Sequence, residues 1–294
     1  MGQKRTRDGA MAEAKQEQPS SPYVPMFENF RIELDEHHDR RERIIKASRD
    51  ITASSKKIIF TLQRIRNVGV SLPEFAVKNN AQYWKTIETQ YKAVSADLRG
   101  INAYRYRQIT WGNQEFMESL CFQHYLETQT LISYDEAKMH IASMSGEAGP
   151  VLLTPEDYIL GIFDMIGELM RFSITSMATN GTLPTGKPNK NKRFKQAVSE
   201  DQDEKIDIDS PLSEDVESRS VLDDLRELRL CLEMLDVPRT SKFYDDVEKK
   251  MGVMRECVDK VEKALYSLTV RGKERPKGWN PDVKEGEKDT VESR

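Results

Sequence analysis

The sequence predicts an all-α protein built from long helices packed side by side. Three observations carry that expectation. A hydrophobic period near 3.6 recurs about seven times along the chain, and no convincing alternating strand pattern accompanies it. Several periodic segments are long, with seams stepping by three and four residues as in coiled-coil-like packing. The composition of the 294 residues is also lean, with 37% hydrophobic and 32% charged. That balance suits amphipathic helices with some disorder better than a compact α/β enzyme.

Residues 1–22 are rich in Lys, Arg, Glu, Gln, Ser and Pro and are expected to form a disordered tail. A first helix begins at Phe27. Phe30, Leu34, His37, Arg41, Ile44, Ser48, Ile51, Ser55, Ile58, Leu62 and Ile65 mark its track over about 40 residues. His37, Arg41, Ser48 and Ser55 interrupt the apolar positions, so part of this face is expected to meet water or a ligand. A break at Gly69 to Pro73 precedes a helix over Ala76–Leu98, ended by Gly100 as a C-cap. The next helix is expected over Tyr104–Thr128. A short one at Ser133–Met144 has Ser133 and Glu136 in capping-box spacing.

The clearest helix starts at Thr154-Pro155-Glu156-Asp157. Thr is a good N-cap, Pro fits the first helical position, and the two acids favour the positive end of the dipole. Its continuation, YILGIFDMIGELMRFSITSM, is apolar on nearly every face and is expected to be deeply buried. Residues 180–219 then lose all periodicity, running from KPNKNKRFK into SEDQDEKIDIDSPLSEDVE. They are expected to form a disordered insertion. KNKRFK fits either a nuclear-import patch or a solvated charge run. Two helices close the domain. Leu222, Leu225, Leu228, Cys231 and Leu235 face one way on the first, which Pro238 stops. Tyr244, Val247, Met251, Met254, Val258, Val261, Leu265 and Leu268 form the seam of the second. The helical domain is therefore expected over residues 23–276, with a polar, disordered tail at 277–294.

The net charge of −4 implies no partner, so any nucleic-acid surface must be a local patch. Cys121, Cys231 and Cys257 show neither CxxC nor Cys/His zinc spacing, which fits reduced thiols in an intracellular compartment. The N-terminus lacks the apolar segment of a secretory signal, and the longest apolar run, Tyr158 to Phe163, is too short to span a bilayer. A soluble protein without membrane contact is expected. MGQKRT loosely fits the myristoylation pattern at Gly2.

Acids stand out where they do not belong. Glu115 and Glu118 share one face of an otherwise apolar helix. Asp164 and Glu168 lie four apart in the buried helix, within about 60° of Gly161 on the same stripe. Arg171 and Thr175 extend that stripe. A helix-interior Gly costs about 1 kcal/mol, and its gain here is room for close approach. Unpaired buried carboxylates cost several kcal/mol unless protonated, paired or bound to metal. No base lies within one turn on the Glu115–Glu118 face. Two readings follow: a hard divalent cation, Mg²⁺ or Mn²⁺, held between two packed helices, or acids that face solvent, with Arg171 pairing Glu168. A di-iron bundle needs Glu-x-x-His motifs, and none occurs among the four histidines, His37, His38, His124 and His140. Nucleophile-elbow and phosphate-loop motifs are absent. AYRYRQITW, residues 103–111, places Arg105 and Arg107 among aromatics, which suits RNA phosphates and bases. The same mixture also occurs as side chains snorkelling at helix ends.

FRIELDEHHDRRERIIKASRDIT, QEFMESLCFQHYLETQTLIS, TPEDYILGIFDMIGELMR and LTVRGKERPK, in that order, resemble the translin family on the side of its X subunits. The resemblance covers most of residues 27–276. It implies a seven-helix translin-type fold and partnership with translin in a closed hetero-oligomeric shell, octameric, that encloses RNA. It also implies the catalytic subunit of a Mg²⁺-dependent endoribonuclease acting on single-stranded RNA, with Mn²⁺ as the alternative ion. Its catalytic and metal-binding acids would be Glu115, Glu118, Asp164 and Glu168. The implied role is RNA-induced silencing, by removal of the siRNA passenger strand alongside silencing-complex components, in cytoplasm and nucleus. A family His ahead of the first acid pair is Tyr106 here, although Arg107 is retained, so RNA contacts at that point are in doubt. The 180–219 insertion is this chain's own. The rival expectation is a non-catalytic helical scaffold that stabilises translin and binds nucleic acid or protein.

Overall fold

The computed structural model describes Ser21 and residues 23–186 and 219–271. Both expected tails, Gly2, KNKRFK and most of the expected insertion lie outside the described residues. The chain divides into two units, Met1–Glu42 and Arg43–Arg294. The described part of the first is the beginning of α1 (Val24–Leu62). Phe27, Phe30 and Leu34 are exposed there, and the two Phe rings meet edge-on with centroids 6.2 Å apart.

The rest of α1 belongs to the second unit, where Ile44, Ile51, Ile58 and Leu62 are fully buried. Ser48 and Ser55 are buried as well, so this part of the face does not meet water. Small size explains Ser48. The Ser48 hydroxyl accepts the Gly112 N–H at 3.0 Å, and a Cβ at Gly112 would stand 3.1 Å from the Ser48 backbone. Ser48 allows close approach of the Gly112 backbone rather than contact with solvent.

α2 (Glu74–Val94) follows. The helix expected from Tyr104 is divided into α3 (Asn102–Arg105), a 3-10 turn (Arg107–Ile109) and α4 (Thr110–Thr128). Tyr106 breaks it at φ −101°, ψ 71°. The break turns the Tyr106 ring inward while Arg105 and Arg107 stay exposed on either side. α5 (Tyr134–Met144) has the expected capping box between Ser133 and Glu136. α6 (Pro155–Asn180) begins as expected, with the Thr154 hydroxyl accepting the Asp157 N–H at 3.1 Å and Pro155 at the first position. It ends at Gly181, whose φ of 71° suits glycine.

α7 (Val221–Glu233) and α8 (Lys242–Arg271) complete the described helices. They run antiparallel, joined by Arg226–Glu262, Arg229–Asp259 and Arg255–Glu233 ion pairs. The α8 seam buries Val247, Met251, Met254, Val258 and Val261 as its spacing predicts. The described residues thus hold eight α-helices, α3 being the one beyond the expected seven. Their only strand-like pairing is an isolated bridge between Thr185 and Ser220. The Gly186 N–H donates to the Arg219 carbonyl at 3.3 Å, so the chain leaves and rejoins the domain at one place.

α4 and α6 run side by side in the same direction. Asn113 and Gln114 near the start of α4 both donate to Asp157 near the start of α6, at 3.5 and 3.2 Å. Tyr91 of α2 donates to Asn113 at 3.0 Å and ties a third helix to this buried network. One turn further on, Met117 meets Gly161. This parallel pair positions the acids.

Candidate acid cluster on the paired helices α4 and α6

Gly161 sets the approach. A Cβ built there would lie 2.5 Å from Met117 Cβ and 3.2 Å from both the Gln114 carbonyl oxygen and the Glu118 nitrogen. The backbones therefore touch where α4 carries Glu115 and Glu118 and α6 carries Asp164. Glu168 follows one turn later. Side-chain exposure falls from 37% at Asp164 through 26% at Glu115 to 11% at Glu168, so the cluster runs from a solvent rim inward.

Glu118 registers the crowding. Its pKa is pushed up to about 8, first by burial, then by Asp164, Glu115 and Glu168, with Lys250 opposing. Among the described residues no base pairs with Glu118. The other three acids have partners. Lys56 Nζ lies 3.1 Å from Glu115 Oε1, so a base does reach this face, from α1 rather than from α4 itself. Gln63 Nε2 donates to Glu168 Oε2 at 2.7 Å, and Arg171 Nε stands 3.7 Å from Glu168 Oε1, the pairing that spacing allows. Lys250 of α8 is ion-paired with Asp164.

As the side chains stand, no three His, Cys, Asp or Glu groups among the described residues are gathered closely enough to hold a metal ion. The donor chemistry nevertheless fits a hard divalent cation: carboxylate oxygens only, one of them unpaired and repelled by its neighbours. Such an ion would have to draw the acids away from their basic partners.

The two arginines lie at the start of the same helix pair. Arg105 is exposed, 6.0 Å from the centroid of the Tyr106 ring. Arg107 Nη2 donates to Glu156 Oε2 at 3.2 Å across the beginnings of α4 and α6. Glu156 precedes Asp164 by eight residues, about 12 Å of helix rise. Trp111 is 68% exposed and lies one turn before Glu115.

The sequence pattern of the translin family matches residues 39–272. The chain belongs to the translin family. It is 30% identical over 290 residues to Translin-associated protein X of Rattus norvegicus, covering 92% of this chain and 87% of that protein. The protein of the same name in Pongo abelii is 31% identical over 293 residues, with the same coverage. The Translin-associated protein X homolog of Schizosaccharomyces pombe (strain 972) is 31% identical over 248 residues, covering 83% of this chain and 86% of that one. The fold is similar to the crystal structures of apo-NeC3PO (TM-score 0.55) and AfC3PO (TM-score 0.51), each 17% identical and covering 83% of this chain. They cover 98% and 97% of those chains.

Within this translin-family fold, all six residues singled out from the sequence are described. The acids fall in one electrostatic neighbourhood and the arginines lie upstream of it. Lys56, Gln63 and Lys250 were missed. Lys56 and Lys250 come from helices, and Gln63 from the turn just after α1, and no local pattern reveals what these segments face. The one available signal was that Lys250 adjoins Met251 on the α8 seam.

Proposed function

We propose that this chain is the catalytic subunit of a translin-containing, Mg²⁺-dependent endoribonuclease that cleaves single-stranded RNA. Glu118 carries the proposal. A buried carboxyl kept among three others, at a contact cleared by Gly161, costs stability. Folds accept such costs where chemistry needs them. The relatives' name, Translin-associated protein X, supports translin as the partner. By the same family reasoning, the complex removes the siRNA passenger strand in RNA-induced silencing, in cytoplasm and nucleus, with Mn²⁺ able to replace Mg²⁺.

Glu115, Glu118, Asp164 and Glu168 would hold the ion. When bound, Mg²⁺ lowers the pKa of a water and stabilises charge on the phosphoryl oxygens. Glu118 holds a proton on its carboxyl near neutral pH and yields it as positive charge enters the cluster. Arg105 and Arg107 hold RNA phosphates at the upstream end, with their guanidinium groups exposed for bidentate contact. Burial of the α4–α6 contact excludes water from the inner side of the acids.

A scaffold reading draws on a different observation: Glu115, Asp164 and Glu168 each have a basic partner, as structural acids do. Glu118→Ala and Asp164→Ala, each assembled with translin, separate the two readings. The catalytic reading expects an intact oligomer that no longer cleaves RNA. Unchanged cleavage would refute it, and loss of assembly would make the acids structural.

A further inference from the structure

The least exposed of the three cations paired with the acid cluster belongs to neither acid-bearing helix. Lys250 lies on α8, between the buried seam residues Val247 and Met254 on its own face of the helix. Its side chain is 27% exposed, against 63% for Lys56 and 66% for Arg171. The latter two reach in from solvent and can withdraw with little loss, since exposed ion pairs contribute about 0–1 kcal/mol. The stem of Lys250 is covered, and its ammonium sits on Asp164 in the half of the cluster that faces α8.

We infer that Lys250 is a counter-ion built into the cluster, which holds Asp164 and competes with a divalent cation for that carboxylate. The inference rests on the reading of the cluster as a divalent site. Three of its four acids are matched by cations, Lys56 on Glu115, Lys250 on Asp164 and Arg171 beside Glu168. This matching accounts for acids that lie near one another without forming a closed ligand shell. An entering divalent ion must take Asp164 from an ammonium that both occupies an oxygen and repels the ion. Lys250 thereby sets the affinity of the site below what four carboxylates alone would give. It acts through Asp164 and is a positioning residue.

The test is Mn²⁺ binding, read from the free-Mn²⁺ electron paramagnetic resonance signal, on the full chain co-assembled with translin. Wild type, Lys250→Met, Lys250→Arg and Glu118→Gln are compared, with a thermal melt of each. Lys250→Met is expected to bind Mn²⁺ about tenfold more tightly or better, and Lys250→Arg to match wild type. The sign is decisive, because a merely damaged site would lose the ion. Lys250→Gln repeats the measurement if Lys250→Met fails to assemble. If Glu118→Gln loses Mn²⁺ while the neutral Lys250 variants bind no better than wild type, the site stands and the competition is overturned. If Glu118→Gln binds as wild type does, the ion lies elsewhere, and the proposed site and the inference fall together.

Discussion

Gly161 of α6 rests directly on Met117 of α4: a Cβ in place of the glycine hydrogen would lie 2.5 Å from Met117 Cβ. That contact brings two acid-bearing helices to backbone distance. It also gives Gly161 a role that its neighbour Gly167, with nothing within 4 Å of a built Cβ, does not share.

The two glycines make a matched prediction. Gly161→Ala forces α4 and α6 apart and is expected to cost about 1–3 kcal/mol despite its better helix propensity. RNA cleavage should fall with it, since the acid pairs separate. Gly167→Ala gains propensity without a clash and should stabilise the chain by up to about 1 kcal/mol. Thermal melts of both variants check this. Equal effects would show that helix propensity, and not the α4–α6 contact, governs the region.

Glu118 predicts a pH dependence. Its folded pKa of about 8 lies above the ordinary carboxyl value of 4.5. Between those values the unfolded chain ionises this group while the folded chain keeps its proton. Unfolding then releases a proton, so stability falls as pH rises through this window. Below the window both states are protonated and the group costs nothing; above it the cost is complete. Without divalent ions, Glu118→Gln should therefore melt higher than wild type at pH 8, by an amount that vanishes near pH 4. Parallel melting curves across that range would contradict the shift.

Arg105→Ala combined with Arg107→Ala should weaken single-stranded RNA binding about equally for all sequences. The slope of log affinity against log salt should drop by about 0.7 for each phosphate that is no longer neutralised. The stability change should be slight, because the Arg107–Glu156 pair is exposed. Fluorescence anisotropy over a salt series measures the slope, and an unchanged slope would remove both arginines from the RNA path.

These predictions rest on features of unequal legibility. Ser133 and Thr154 were readable as caps because a cap is decided by residues three apart. The acids were readable because carboxylates break an apolar period, and Gly161 marked their stripe. Tyr106 gave no sign of its break, since neither Gly nor Pro is present there, and the burial of its ring is set by tertiary packing. Ser48 and Ser55 suggested a wet face but are buried, Ser48 against the backbone of Gly112, because small size and polarity come together in serine. Lys56 and Lys250 were out of reach for a further reason. Periodicity tells which face of a helix is buried but not which helix covers it, and two of the three cations on the cluster, Lys56 and Lys250, are set by that choice.

Glu115, Glu118, Asp164 and Glu168 are proposed to hold a divalent ion. Anomalous diffraction from Mn²⁺-soaked crystals of the translin complex tests it most directly. A peak is expected between α4 and α6, ligated by oxygens of Glu118 and Asp164, with Lys250 moved off Asp164. A well-occupied peak elsewhere, with the Lys56–Glu115 and Lys250–Asp164 pairs still in place, would contradict it.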